Sequence, residues 1–401
     1  MKESLYFFLE PYVYLKSSPH GVLLVNLLDD TTLLFEDKAS IRIGSFLQSS
    51  VKNTIKIKED DKNIPIIERA ITNFMGDIVF ANLQPLQFNS EFDHVSGRNA
   101  YLKSIIYSKN NIGEYISDCT LFINPGSQDC QDYIRFMTGI DSIDIKQYHN
   151  FSFVINEKDI DTYIKELITI NPDITFKICG FDIKLLDYIL KKYKNILIHP
   201  IISLRTIRLY PDILSKIKEN NLKYTLLLDL FHDNFNLEIF DDLCAVNVKI
   251  INDKDMNVAL NLLEKGYKIK ICPVLNSQNI DFIKSLLTIH KEDLLDIENK
   301  YRTIKINNVI NSNFWGHLYL FPKGKMCYSL KSDKFFDFNH LYETYKSDFF
   351  NGIFEWTSYR NFLKCKDCIF QYLCPAPDYI EIFLRENGLV ECLVKNEKAT
   401  S

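Results

Sequence analysis

Between residues 119 and 290, short apolar runs alternate with segments of helical periodicity, and this limits the fold more than any other feature of the chain. The runs are CTLFIN (119–124), ITFKIC (174–179), NILIH (195–199), YTLLLDL (224–230), AVNVKII (245–251) and YKIKICPV (267–274). Helices are predicted at 129–138, 157–169, 182–193, 211–220, 236–242 and 254–265, with a further one at 278–290 leading out. Most of the runs are apolar throughout, as parallel strands covered by helices should be. The pattern predicts an α/β fold of six βα units joined by crossovers of one hand. Six such units can form an open partial barrel or a doubly wound sheet, and periodicity alone does not choose.

The flanks read differently. Residues 1–100 hold the strand candidates LYFFLEP, YVYLKS, GVLLVNLL and TTLLFED, then helices near 38–49 and 64–74, a small α+β module. The irregular stretch 82–110 reads as a linker. Beyond residue 300, IKINNVI and HLYLF read as strands, PKG as a turn and 338–350 as a helix. After CPAP a short helix carries Ile380, Phe383 and Leu384 on one face, with Gly388 as its C-terminal cap. The expected division is 1–100, 110–295 and 300–401.

The 401-residue chain carries a formal net charge of −5, which gives no reason to expect nucleic acid as its partner. It has no run of about 18 apolar residues, so no membrane span is expected. The opening MKESLYFFLEPYVYL is interrupted by Glu10 and Pro11, and no small-residue cleavage site follows. A signal peptide is not expected, and the cytoplasm is the expected compartment.

Ten cysteines lie at 119, 130, 179, 244, 272, 327, 365, 368, 374 and 392. In reducing surroundings, disulfides give way to metal–thiolate chemistry. Cys179, Cys244 and Cys272 lie in or beside strand candidates and read as core. The run CKDCIFQYLC spaces Cys365, Cys368 and Cys374 as Cys-x2-Cys-x5-Cys. Soft thiolates in that pattern suit zinc or an iron–sulfur cluster, which need a fourth donor. Cys392 is the nearest candidate, Cys327 another, and His317 or His340 could substitute. The competing readings are buried structural thiols and a dithiol redox pair; the thioredoxin-like context for the latter is missing.

The C-terminal region resembles the SPASM domain of peptide-modifying radical S-adenosylmethionine enzymes. The resemblance assigns Cys365, Cys368, Cys374 and Cys392 to one auxiliary [4Fe–4S] cluster. The companion cluster lacks ligands: Asp378 stands at one of its positions, and Cys327 remains as a remnant. The middle of the chain resembles that family's partial (β/α)6 barrel, whose first strand leads into a Cys-x3-Cys-x2-Cys loop. Here Gly126, Cys130 and Tyr133 occupy those positions. The Gly-Gly-Glu-like motif after the second strand reads CGFD, with Gly180 kept and Phe181 in place of the acid.

The resemblance therefore implies a pseudo-radical-SAM protein without an S-adenosylmethionine cluster, similar to those of Bacteroidales peptide-maturation systems with Gly-Gly leaders. It implies a radical-SAM-like partial barrel between a small N-terminal winged-helix-like peptide-recognition module and a SPASM-like domain with one cluster. The implied partners are a genuine radical SAM/SPASM maturase and a ribosomal precursor peptide, which the N-terminal strands LYFFLEPYVYL or GVLLVNLL would bind along a sheet edge. Two alternatives stay open: non-radical peptide or nucleotide chemistry in the barrel, and a zinc-stapled interaction protein. Polar groups near predicted strand ends are His199, Asp229, His232, Asp233 and Asn276, while Asp129 reads as a helix cap or solvent group.

Overall fold

The computed structural model describes residues 4–50, 54–85, 115–141, 154–230, 240–331, 335–341, 356, 360 and 363–395. The expectations for 86–110, 236–239 and 342–350, and for His232 and Asp233, lie outside these residues.

The N-terminal part forms two three-stranded antiparallel sheets. Strands β1 (Ser4–Leu9), β2 (Val13–Ser18), β3 (Gly21–Asn26) and β4 (Thr32–Phe35) precede a helix over Lys38–Ser49. Strand β5 (Thr54–Ile57), a helix over Pro65–Thr72 and β6 (Gly76–Ala81) follow. β1 lies between β5 and β6, and β3 lies between β2 and β4. Neither β1 nor β3 therefore has a free edge. The edges belong to β5, β6, β2 and β4; the segment LYFFLEPYVYL runs from the enclosed β1 into the edge strand β2, while GVLLVNLL forms the enclosed β3.

Every residue of β3 is buried. Its alternation serves two cores: Val22 and Leu24 face the N-terminal helices, while Leu23 and Val25 pack with Ile369, Phe370, Leu373 and Cys374. The helix over Lys38–Ser49 approaches so closely that a Cβ on Gly44 would stand 2.5 Å from Val22 Cγ2. The β2–β3–β4 sheet is thus filled on one side by its own helices and on the other by the cysteine loop.

The six expected central strands are all present: β7 (Asp118–Phe122), β8 (Thr175–Cys179), β9 (Leu197–Ser203), β10 (Tyr224–Asp229), β11 (Cys244–Ile250) and β12 (Ile269–Pro273). They pair in parallel in unbroken sequence order. A doubly wound sheet reverses its strand order at a switch point; these six strands do not, and the order reverses only where β14 returns to the far side of β7. After β13 (Ile289–His290), strand β14 (His317–Phe321) joins β7 in parallel, and β15 (Lys325–Cys327) and β16 (Phe336–Asp337) extend the sheet antiparallel. β17 (Val394–Lys395) pairs with β13.

β9 runs through Pro200, where the sequence reading stopped at His199. Its pairing with β10 begins only at Ile201, so the missing proline N–H costs that ladder nothing. His199 therefore lies early in its strand and not at the ligand-bearing end. The IKINNVI segment is a helix, Lys300–Val309, and not a strand. Asp30 accepts backbone bonds from Asn299 (2.7 Å) and Lys300 (2.8 Å), satisfying donors at its N-terminus. A partner 270 residues away thus decides what local alternation left ambiguous.

The crossover helices begin at side-chain caps: Asn156, Asp182, Ser203 and Asn252 each accept from the backbone N–H three residues on. The helix expected at 129–138 forms over Gln128–Thr138. It packs against β8, β9, β10 and β12. It ends at Gly139, and Ile140 then bridges to Leu275 beyond β12. Among the described residues no helix is long and apolar enough to cross a membrane.

Candidate metal centre and strand-end cavity

Cys365 lies in a short helix over Leu363–Lys366, and the Cys368 N–H returns to its carbonyl at 3.1 Å. The Cys374 N–H bonds the Phe370 carbonyl at 2.9 Å, closing a second turn. Between them Ile369, Phe370 and Leu373 are buried against Tyr14, Leu23, Val25, Leu294 and Ile304. Burial of these side chains holds the loop in register, at roughly 1.5–3 kcal/mol each.

Asparagines around the Lys300–Val309 helix satisfy the loop's carbonyls. Asn307 Nδ2 donates to Tyr372 O (2.8 Å) and Cys374 O (3.3 Å), Asn311 Nδ2 to Pro377 O (3.3 Å), and Asn313 Nδ2 to Ala376 O (2.7 Å). Cys392 arrives from the other direction, two residues before β17.

The outcome is one small cavity of about 30 Å³ lined by Cys365, Cys368, Cys374 and Cys392, with Arg360 and Arg385. Cys327, the other candidate from the sequence, is fully buried in the main core and does not line it. His317 bonds Asp118 at 2.8 Å, and neither it nor His340 lines the cavity. All four cysteines are free thiols. Burial pushes the Cys374 thiol up to about 12 against the opposing pull of Arg360, with Cys368, Cys392 and Cys365 raising it further. Burial likewise raises Cys368.

The donor set fits a tetrathiolate centre: four soft donors, one cavity and cations beside it. Among the described residues no group of three or more His, Cys, Asp or Glu side chains is placed to hold a single metal ion. Zinc requires four sulfurs at about 2.3 Å from one ion, whereas a four-iron cluster gives each thiolate its own iron and takes a wider set.

A second, larger cavity of about 630 Å³ opens at the C-terminal ends of β7, β8 and β9. Asn124 and Ser127, then Gly180 to Asp182, then Arg205 and Thr206 contribute to its wall, and half-exposed Leu209 and Tyr210 to its rim. Of the three loop positions, Gly126 is exposed, Cys130 fully buried and Tyr133 nearly so. Cys130 is the third residue of the Gln128–Thr138 helix. A Cβ on Gly180 would stand 2.5 Å from its sulfur, and Gly180 has φ +71°. Asp182, which also lines the cavity, caps its own helix by accepting from the Leu185 N–H at 2.8 Å.

Asp129 is no solvent group. It is buried and accepts from Ser203 Oγ at 2.5 Å and from Thr206 Oγ1. It thereby ties the Gln128–Thr138 helix to the end of β9, a role that only the strand neighbours reveal. Asp229 is paired with Lys249 at 3.2 Å, and Asn276 accepts from the Gln278 N–H at 2.8 Å within its own turn. Neither is an unpartnered reacting group.

No protein-family model matches the chain, and no curated protein matches it. Solved structures give distant likenesses. Streptococcus suis SuiB bound to S-adenosylmethionine aligns at 11% identity over 94% of this chain and 96% of its own, with a TM-score of 0.37. SuiB in another structure aligns at 10% identity over 97% and 100%, with a TM-score of 0.39. Native anSMEcpe with bound AdoMet and Cp18Cys peptide aligns at 14% identity over 64% and 88%, with a TM-score of 0.38. Such scores are too low to transfer ligand, partner or activity to this chain.

Proposed function

We propose that this chain is a non-radical accessory protein of ribosomal peptide modification. It would bind a precursor peptide, a genuine radical SAM/SPASM maturase, or both, while the reactive radical comes from the partner. In this reading residues 110–295 are a degenerate partial barrel, 1–100 a peptide-recognition module and 300–401 a SPASM-like region. The observation that carries it is a contrast between two cysteine sites. Four cysteines share one cavity at the C-terminal loop, while Cys130, alone at the first strand's loop, is sealed inside a helix.

Cys365, Cys368, Cys374 and Cys392 would hold one [4Fe–4S] cluster. When bound, the cluster supplies covalent cross-linking of the loop and the tail, and a one-electron redox centre. Four protein thiolates leave no open iron for S-adenosylmethionine. The loop's packing against Leu23 and Val25 supports a structural role, because the recognition module rests on it.

For the peptide, β6 is the best-placed edge. It pairs only with β1 among the described residues, and Phe80 on it, with Phe74 and Leu83 beside it, is exposed. An extended segment adding there would gain backbone bonds from the strand and apolar contacts from these side chains. The test is co-purification of the full chain with the precursor and maturase encoded beside it. Binding that Phe80→Asp abolishes supports the reading; no association with either component sinks it.

The 630 Å³ strand-end cavity favours a second reading, non-radical chemistry on a peptide or nucleotide. A change in precursor mass after incubation with this chain alone and candidate cosubstrates would establish it.

A further inference from the structure

The four cysteines that line the small cavity lie on two chain segments, and each segment is tied to the N-terminal module. The loop segment reaches the module through β2 and β3. Lys16 Nζ, on β2, donates to Lys366 O at 3.3 Å, between Cys365 and Cys368, and to Gln371 Oε1 at 3.2 Å, between Cys368 and Cys374. The same ammonium stands 5.7 Å from the centre of the Tyr372 ring. Ile369, Phe370 and Leu373 pack with Tyr14, Leu23 and Val25, and a Cβ on Gly21 would stand 3.3 Å from Ile369 Cδ1.

The tail segment reaches the module through β13. After Cys392, the Leu393 carbonyl accepts from the Ile289 N–H at 3.0 Å, and β17 pairs with β13. Ile289, Leu393 and Val394 line the cavity together with the thiols. Lys291, the first residue after β13, pairs with Glu36, the first residue after β4. These ties fall on one of the module's two sheets. β2, β3 and β4 supply Tyr14, Leu23, Val25 and Leu34 to the core shared with the loop. Leu5, Phe7 and Leu9 of β1, with Ile55 and Ile57 of β5, belong to the module's own core.

A centre that joins the four thiolates cross-links loop to tail and closes the two jaws on which the β2–β3–β4 sheet rests. If that closed arrangement favours the bound centre, the bound centre favours the arrangement by the same free energy. We infer that the cysteine centre is a latch for the N-terminal module: loading it fixes the β2–β3–β4 sheet on loop and tail, and emptying it loosens that sheet while β1, β5 and β6 stay ordered. Lys16 is the positioning residue that carries the coupling on the module's side. The inference rests on the cluster reading above. The peptide edge on β6 lies in the sheet that does not respond, so loading governs how the module is mounted and not the edge itself.

The test is hydrogen–deuterium exchange on the full chain, reconstituted anaerobically with iron and sulfide, against the same chain stripped by a chelator with its thiols kept reduced. Exchange over 13–26 should rise several-fold on stripping, while exchange over 4–9 and 54–57 stays as it was. A uniform rise across both sheets, or no change, overturns the inference. Lys16→Met keeps an apolar stem and removes the two bonds to the loop. In the loaded chain it should raise exchange over 13–26 and speed iron removal by the chelator several-fold, as reciprocity demands. Lys62→Met, in the same module but paired with Glu59, should do neither. If the stripped chain precipitates, Lys16→Met decides: both readouts altered supports the latch, and either one unaltered overturns it. Failure of the unsubstituted chain to take up iron and sulfide defeats the cluster reading and the latch with it, a result distinct from uptake without a change in exchange.

Discussion

One side-chain amide, that of Asn307, donates to the carbonyl of Cys374 at 3.3 Å and to that of Tyr372 at 2.8 Å, so a helix read from sequence as a strand braces the cysteine loop. Asn307→Ala would leave both carbonyls short of a donor in a buried place. It should destabilise the chain by about 1–3 kcal/mol in urea unfolding. Asn313→Ala removes a bond from an exposed side chain and should cost less than about 1 kcal/mol.

Iron content separates ligands from core thiols. Alanine at Cys365, Cys368, Cys374 or Cys392 should strip the reconstituted chain of most of its iron and sulfide. Cys244→Ala, in a buried strand far from the cavity lining, should leave the iron-to-chain ratio unchanged. Elemental analysis with sulfide assay reads both.

Leu23 has no exposure and packs on the far side of its sheet from the N-terminal helices. Leu23→Ala should cost about 2–5 kcal/mol of stability. Because its neighbours include Phe370 and Cys374, the substitution should also weaken cluster retention against a chelator. Leu47→Ala, on the opposite core, should destabilise without that second effect. Equal cluster loss in both variants would refute the coupling.

Acid should reveal His199. Burial, with Lys177 adding to it, lowers its pKa from 6.5 to about 4, and its Nε2 lies 2.7 Å from Thr225 Oγ1. The unfolded chain then binds the proton more readily than the folded one. The contribution is fully present above about pH 6.5, is lost as pH falls toward 4, and changes no further below that. It amounts to about 3 kcal/mol over that window. His199→Gln should flatten the slope of stability against pH between those limits, measured by denaturant unfolding.

Much of the central sheet was legible because its strands are apolar runs long enough to outvote local ambiguity, and the crossover caps Asn156 and Asp182 stand just before their helices. What escaped depended on distant partners. The helix at Lys300 starts where Asp30 meets it, β9 continues past Pro200 because the next strand pairs late, and β5 and β6 are recognisable mainly as neighbours of β1. At the site, the Cys-x2-Cys-x5-Cys spacing singled out three of the four cysteines that line one cavity. It did not find Arg360 or Glu381, whose partnership spans 21 residues and has no spacing rule. Asp129 was misread for the same reason, as its two hydroxyl partners come from a different βα unit.

The close approach of Gly180 to Cys130 also limits what the loop after β7 could be made to do. The Cys130 sulfur belongs to a helix seated across four strands, and a Cβ at residue 180 would stand 2.5 Å from it. Cysteines introduced at 126 and 133 would therefore meet a third sulfur already enclosed by packing, and recruiting it would require that helix to shift.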